Sequence, residues 1–193
     1  MKKRSIMLGS AVILAVLLVV GGTMAWFTAE ADPVVNTFKA GTVAISINDQ
    51  FDEELTGNVN PGDKYDKVVS VTNDGSKRAY IRVKLTPIFL ESLDPEVASN
   101  VSVDVVDFPI LDGWTPLQPD GYYYYKLIVL PGQTTSNIID KVEFAGDEMD
   151  NDYQGLFFTL TVNAEAIQAT NGAINDEWGI DPVALGLEVL PTE

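Results

Sequence analysis

The stretch DKVVSVTNDGSKRAYIRVKLT, residues 66–86, decides the fold of this chain. Its first half ends in Asn-Asp-Gly, a turn signal, and its second half resumes an apolar alternation with Tyr80 or Ile81 leading. Apolar residues at every second position indicate a half-buried β-strand, because successive side chains of a strand point to opposite faces. The stretch therefore predicts a strand, a turn and a second strand.

Similar short β-runs continue outward in both directions, separated by Pro- and Gly-containing turns. Seven or eight such runs predict an all-β fold, an antiparallel jelly roll or β-sandwich. The segment FLESLDPEVASN, residues 89–100, is the one local candidate for a helical turn, and Pro95 limits it. The other strand candidates are TVAISIND (42–49), NVSVDVVDF (100–108, with Val101, Val103 and Val105 on one face), YYYYKLIVL (122–130) and LFFTLTVNAEAI (156–167).

The amino-acid composition excludes several classes of function. The chain has 193 residues, 46% of them hydrophobic, which is enough for one domain with its own core. It contains no histidine and no cysteine, so zinc sites built on these residues, Ser-His-Asp triads and disulfide frameworks are excluded. The net charge of −16 repels phosphate backbones and argues against nucleic-acid binding.

The first 25 residues, MKKRSIMLGSAVILAVLLVVGGTMA, have a basic start, an apolar run and a small-residue end. This is the order of a secretory signal peptide. The alternative is an uncleaved membrane anchor, because residues 5–29 carry no charge and are long enough to span a bilayer. Cleavage after Ala25, which exposes Trp26, is favoured over cleavage after Ala31, because it lies nearer the end of the apolar run.

The sequence thus divides into a signal peptide (1–25), an N-terminal segment (26–41) and a sandwich domain (42–193). Removal of Lys2, Lys3 and Arg4 with the signal peptide leaves nine basic and 28 acidic residues, a net charge of −19. A protein exported without cysteine suits a Gram-positive cell surface.

The entry into the domain resembles that of TasA and camelysin family proteins, the exported proteins processed by the SipW type of signal peptidase. Residues 21–27, Gly-Gly-Thr-Met-Ala-Trp-Phe, and residues 36–43, Asn-Thr-Phe-Lys-Ala-Gly-Thr-Val, are similar to that family's GGT-x-A-x-F and F-x-x-G-T-L motifs. Residues 59–76, with a Pro-Gly-Asp turn and an Asn-x-Gly-Ser turn, are similar to a further family segment.

This resemblance implies cleavage after Ala25, a jelly-roll domain, and export to the cell surface or the biofilm matrix. For the TasA branch it also implies fibres in which the N-terminal segment of one subunit completes the sheet of the next. A freed strand has unpaired N–H and C=O groups that match an open sheet edge, and such a head-to-tail contact need not close. The apolar residues available to such a donor strand, which Pro33 interrupts, are Trp26, Phe27, Val34, Val35 and Phe38.

The acidic segment GDEMDND, residues 146–152, has the oxygen ligands that calcium prefers. Its spacing does not match the EF-hand, and a solvated acidic loop is the favoured interpretation. No other cofactor is expected. The candidate ligands are Asp147, Glu148, Asp150 and Asp152.

Four consecutive tyrosines, Tyr122 to Tyr125, form a second candidate site. At the period of a strand, Tyr122 and Tyr124 face one way, and Tyr123 and Tyr125 face the other. One alternative is an aromatic platform that binds carbohydrate. A strand that packs one pair inward and shows the other at a surface or subunit contact is the favoured one.

Together with the family resemblance, these patterns predict a non-enzymatic, secreted structural subunit that polymerises with itself by strand donation, with other matrix proteins as further partners. A monomeric surface adhesin or accessory matrix factor is the alternative from another class. A camelysin-like peptidase comes third, because the sequence has no H-E-x-x-H motif.

Overall fold

The structure, a computed structural model, describes residues 43–51, 60–93 and 95–191. All of them belong to one unit, residues 40–193. Nearly every regular element is an antiparallel strand, which confirms the all-β fold expected from the sequence. The elements are β1 (Ile45–Phe51), β2 (Lys64–Asn73), β3 (Ala79–Leu93), β4 (Glu96–Ala98), β5 (Val106–Asp107), β6 (Tyr123–Tyr124), β7 (Ile139–Phe144), a 3-10 turn (Asn151–Tyr153), β8 (Phe157–Gln168) and the short helix α1 (Ala173–Trp178).

The strands form two four-stranded sheets. The first has the order β1-β2-β7-β5. In the second, the long strand β3 pairs with β8 along one side, while β4 and β6 pair with opposite ends of its other side. The two strands of residues 66–86 therefore belong to different sheets.

The main core lies between the two sheets. It contains the inward side chains of β2 and β3, such as Val69, Val71, Ile81 and Val83, none of which is exposed to solvent. Burying each of these side chains stabilises the fold by about 1.5–3 kcal/mol relative to leaving it in water. A second apolar cluster, which contains Tyr80, Tyr124, Ile174 and Leu187, covers the other face of the β3–β8 sheet.

Pro87 lies inside β3, although proline lacks the N–H that a strand needs. The odd-numbered residues of β3 direct their backbone groups away from β8: Ala79 exchanges two hydrogen bonds with Val129, and the carbonyl of Ile81 accepts from Tyr125 N. Pro87 shares this parity, so its missing donor faces the interval between β6 and β4. The ladder with β8 continues past it.

Three local predictions were wrong. The YYYYKLIVL run is not a long strand, because only Tyr123–Tyr124 form one and Tyr125 and Val129 make isolated bridges. The described residues of the FLESLDPEVASN segment form strands where a helical turn was predicted, because β3 runs to Leu93 and pairs with β4. The valines of NVSVDVVDF do not form a strand before Val106, because the Ser102 hydroxyl accepts a hydrogen bond from the Asp104 N–H and holds a local turn. Val105 is nevertheless buried in the main core.

The helix α1 was not predicted, since its sequence follows Asn171-Gly172, a pair that indicates a turn. No helix within the described ranges is both long and apolar enough to cross a membrane. The signal peptide, the cleavage site Ala25–Trp26 and the donor residues up to Phe38 lie outside the described residues.

Candidate functional site

Two long strands, β1 and β8, border the same side of the sandwich. β1 pairs only with β2, and β8 pairs only with β3, within the described part of the chain. The two strands contact one another although they belong to different sheets. This side of the molecule, which we call the open side, therefore carries two sheet edges next to each other.

The backbone of β8 points alternate residues toward this open side. Because even-numbered residues of β3 bond to β8, their partners in β8 are odd-numbered, as in the pair of Arg82 with Glu165. The even-numbered residues of β8 thus direct their N–H and C=O groups away from β3. Five of these residues pack their side chains against the main core, namely Phe158, Leu160, Val162, Ala164 and Ala166.

The same relation holds for β1. In β2, Val69 and Val71 accept backbone hydrogen bonds from Ile138 and Thr135 on the side away from β1. Their partner positions in β1, which include Ile47, therefore direct backbone groups outward and side chains inward. Yet Ile47 remains 39% exposed.

The side chains along both edges are covered incompletely. Val162, Ala164 and Ala166 of β8 and Ile45 of β1 face the core but are only half-buried. An edge strand of this kind offers both unpaired backbone groups and apolar surface to an additional strand. The open side is therefore the candidate site for strand addition.

The four tyrosines alternate as the sequence predicts, with Tyr123 and Tyr125 in the main core and Tyr122 and Tyr124 in the second cluster. Tyr125 stacks against Trp114, and Tyr124 is fully buried. Because both pairs pack against other residues, the run does not form an exposed aromatic platform.

Tyr122 and Tyr124 surround Arg82, a residue that the sequence did not single out. Its guanidinium carbon lies 4.1 Å from the centre of the Tyr122 ring and 4.3 Å from that of Trp178. Its nitrogens donate to Glu165 at 2.6 and 3.0 Å and to Asp120 at 3.3 Å. A charged residue in the middle of an apolar alternation was the available signal, but its partners are distant in sequence. We call these residues the Arg82 cluster.

The ionisation states in this cluster follow from its hydrogen bonds. The hydrogen bonds from Arg82 hold the pKa of Glu165 below its usual value. Burial, followed by the hydrogen bond to Asp120, raises the pKa of Tyr124 to about 12. At neutral pH the Glu165 carboxylate is therefore an acceptor and the Tyr124 hydroxyl is a donor. The cluster joins β3, β6, β8 and α1, so it holds these elements of the fold together.

The acidic segment forms a turn rather than a ligand cage. The Asp150 carboxylate accepts a hydrogen bond from Asp152 N at 2.9 Å and thereby caps the 3-10 turn, while Met149 is buried beside it. Asp147, Glu148, Asp150 and Asp152 are all exposed. Among the described residues, no group of three or more acidic side chains is placed to hold a metal ion.

The Pro-Gly-Asp turn before β2 shows why this motif suits its position. Gly62 has a φ of 84°, which other residues rarely adopt. The Asp63 carboxylate accepts hydrogen bonds from Asn60 N at 2.9 Å and from the Tyr65 hydroxyl at 2.6 Å. The hydrogen bond from Tyr65 is the largest cause that lowers the pKa of Asp63. The turn thus fixes the start of β2.

Comparison with known proteins supports the resemblance noted in the sequence. Residues 1–87 match the model of a family described as camelysin metallo-endopeptidase, which includes TasA. The matched part contains β1, β2 and the first half of β3. No curated protein matches the chain.

Proposed function

We propose that this chain, whose first 87 residues match the camelysin family model, is an exported structural subunit of a fibre at the cell surface or in the biofilm matrix. Each subunit adds the segment that begins at Trp26 to the open side of the next subunit. The observation that carries the proposal is the pair of adjacent long edges, β1 and β8, with half-buried apolar side chains along both.

The acceptor on this proposal is the edge of β8. Its twelve residues make it the longer of the two edges, and its outward-directed N–H and C=O groups are spaced for one further strand. A strand placed there brings apolar side chains over Val162, Ala164 and Ala166. Both the hydrogen bonds and the apolar contacts favour addition.

The donor is the segment from Trp26 to Val35, which precedes the domain. Its aromatic and branched residues supply the apolar surface that the open side lacks. Pro33 divides its pairing into two parts, because proline cannot donate to the ladder. Since donor and acceptor are different surfaces of one subunit, the contact repeats head to tail and forms an open filament.

Export follows from the same assignment. Members of this family are generally extracellular. A signal peptidase of the SipW type releases the chain after Ala25 on this proposal, and the new end at Trp26 becomes free to pair. The partners are then further copies of the chain and other matrix proteins.

The function we propose is not enzymatic, although the family description names a metallo-endopeptidase. The chain contains no histidine, so it lacks the H-E-x-x-H pair of zinc peptidases. The described residues contain no acidic cluster placed for another metal. A peptidase assay with and without a chelator tests this point, and chelator-sensitive cleavage by the purified chain would contradict it.

The fibre is tested by electron microscopy of the chain that begins at Trp26. We expect filaments at micromolar concentration, and persistent monomers with a verified Trp26 N-terminus would count against the fibre. A chain that lacks residues 26–35 should remain monomeric and keep the β-rich circular dichroism spectrum. Polymerisation of that shortened chain would rule out strand donation by this segment.

A further inference from the structure

A cleft of about 730 Å³ lies at the end of the β3–β8 sheet. Of the strand proposed above as the acceptor, only its last residue, Gln168, lines this cleft. Its walls come from the start of β3, the end of β8, the loop into α1, and the C-terminal segment. The walls are held together by hydrogen bonds from Ala169 N to the Arg78 carbonyl at 2.9 Å and from the Tyr80 hydroxyl to the Glu188 carbonyl at 2.8 Å.

The charge of this cleft differs from that of the rest of the chain. Although the protein carries 28 acidic residues, none of the described residues that line the cleft is Asp or Glu. Among the described lining residues, the charged one is Arg78, which is exposed and has no ion pair with a described carboxylate. Arg82, in contrast, is occupied by two carboxylates. Arg78 is thus available to a ligand.

The remaining lining combines neutral polar groups with an apolar floor. The polar side chains are amides and a hydroxyl, from Gln168, Thr170, Asn171 and Asn175. Each of these groups both donates and accepts hydrogen bonds, as sugar hydroxyls also do. Tyr80 and Ile174, which are buried beneath, form an apolar floor that suits the C–H face of a sugar ring.

We propose that this cleft binds an acidic sugar, a uronic acid unit of a polysaccharide, with Arg78 pairing to its carboxylate. Arginine presents a planar fork of donors that matches a carboxylate, and such charge-assisted hydrogen bonds are stronger than neutral ones. The amide and hydroxyl side chains would bind the ring hydroxyls. The volume of the cleft lies within the range of small-molecule sites. The proposal is independent of the fibre.

The test is isothermal titration calorimetry of the full chain with trigalacturonic acid at physiological ionic strength, where repulsion by distant surface charge is screened. We expect saturable binding at one site. The substitution Arg78→Gln should weaken this binding at least about tenfold, because it removes a charge-assisted pair. Asn175→Ala should weaken it by a smaller factor.

Lys77→Gln is the matched control, because it removes the same charge from the neighbouring residue, which does not line the cleft. It should leave the affinity unchanged. An equal loss in both variants would show non-specific attraction and overturn the proposal, as would the absence of binding at millimolar trigalacturonic acid.

Two further ligands separate the chemical classes. The uncharged galactotriose should bind much more weakly than trigalacturonic acid, and equal affinity would exclude recognition of the carboxylate. Acetyl-trialanine, which has a carboxylate but no ring hydroxyls, should also bind weakly. If it bound as tightly as the sugar acid, the cleft would be a site for peptide ends and the proposal would be wrong.

Discussion

The two sides of the sandwich differ in the length of their edge strands. On one side the edge strands β4, β5 and β6 have only two or three residues each. On the open side β1 and β8 have seven and twelve. Proteins commonly protect sheet edges by keeping them short, because a long edge is a template for pairing with another chain. The contrast teaches that the described strands of the open side lack this protection.

The two sides also differ in how completely they cover the core. Beside β6, the side chain of Tyr124 is fully buried and the Arg82 cluster covers the sheet. Along β8, side chains at core-facing positions are only half-buried. If the open side is the assembly surface, changes there should alter association, and changes in the Arg82 cluster should alter folding.

Proline substitutions at two adjacent positions of β8 should give the largest difference. Asn163→Pro removes an N–H that faces β3, and the loss of a ladder hydrogen bond that leaves a carbonyl of β3 unpaired should destabilise the domain by up to about 3 kcal/mol. Ala164→Pro removes an N–H that faces the open side, so it should block filaments while stability changes little. Urea unfolding and sedimentation measure the two effects.

The Asn163→Pro and Ala164→Pro variants also test which edge is the acceptor. Wild-type polymerisation by a folded Ala164→Pro variant would exclude β8 as the site of strand addition.

Arg82→Met should lower the free energy of unfolding by about 2 kcal/mol, because it leaves two carboxylates without their cationic partner and removes the stacking on Tyr122 and Trp178. This is less than the usual cost for a buried pair, since the Glu165 side chain is 45% exposed and its charge is screened by solvent. Urea denaturation measures the loss.

Arg78→Met is the matched control, because this arginine has no such partners among the described residues. Its unfolding midpoint should match that of the wild type. The Arg82→Met variant should still form filaments when it is folded, and loss of filaments by the folded protein would contradict the separation of the two sides.

Ile47→Thr should have a moderate effect on association. It keeps a β-branched residue in β1 but removes apolar surface from the open side, where Ile47 is 39% exposed. We expect the critical concentration for filaments to rise severalfold, measured by sedimentation, with a loss of stability of about 1 kcal/mol or less. A large loss of stability would instead show that Ile47 completes the core of the isolated subunit.

The pH dependence should show the smallest effect. Because the folded-state pKa of Glu165 lies below its ordinary value of 4.5, its ion pair stabilises the fold above that pH. This contribution is lost as the pH falls below 4.5 and through the lowered pKa. The difference in unfolding free energy between the wild type and Glu165→Gln should therefore shrink on acidification. A difference that stays constant down to pH 3, about one and a half units below that ordinary value, would contradict this ion pair.

Patterns that depend on chain neighbours were predicted well. The run LFFTLTVNAEAI was predicted as a strand and forms β8, and the alternation of the four tyrosines was correct although only two of them form a strand. The strand predicted from Val101, Val103 and Val105 was wrong, because a side-chain hydrogen bond at Ser102 competes with the extended backbone. The partners of Arg82 could not be predicted, since Glu165 is 83 residues away along the chain.

The sequence by itself determined the strand, turn and strand of residues 66–86, because alternation and turn preference act between neighbours in the chain. Only the tertiary structure decided that β2 and β3 belong to opposite sheets. The buried Asn73 donates to the carbonyls of Lys77 and Val129 at 2.8 and 2.9 Å, and its side-chain oxygen accepts from Gly75 N. Val129 is 56 residues away, so the path of the chain at this turn depends on contacts that no local pattern specifies.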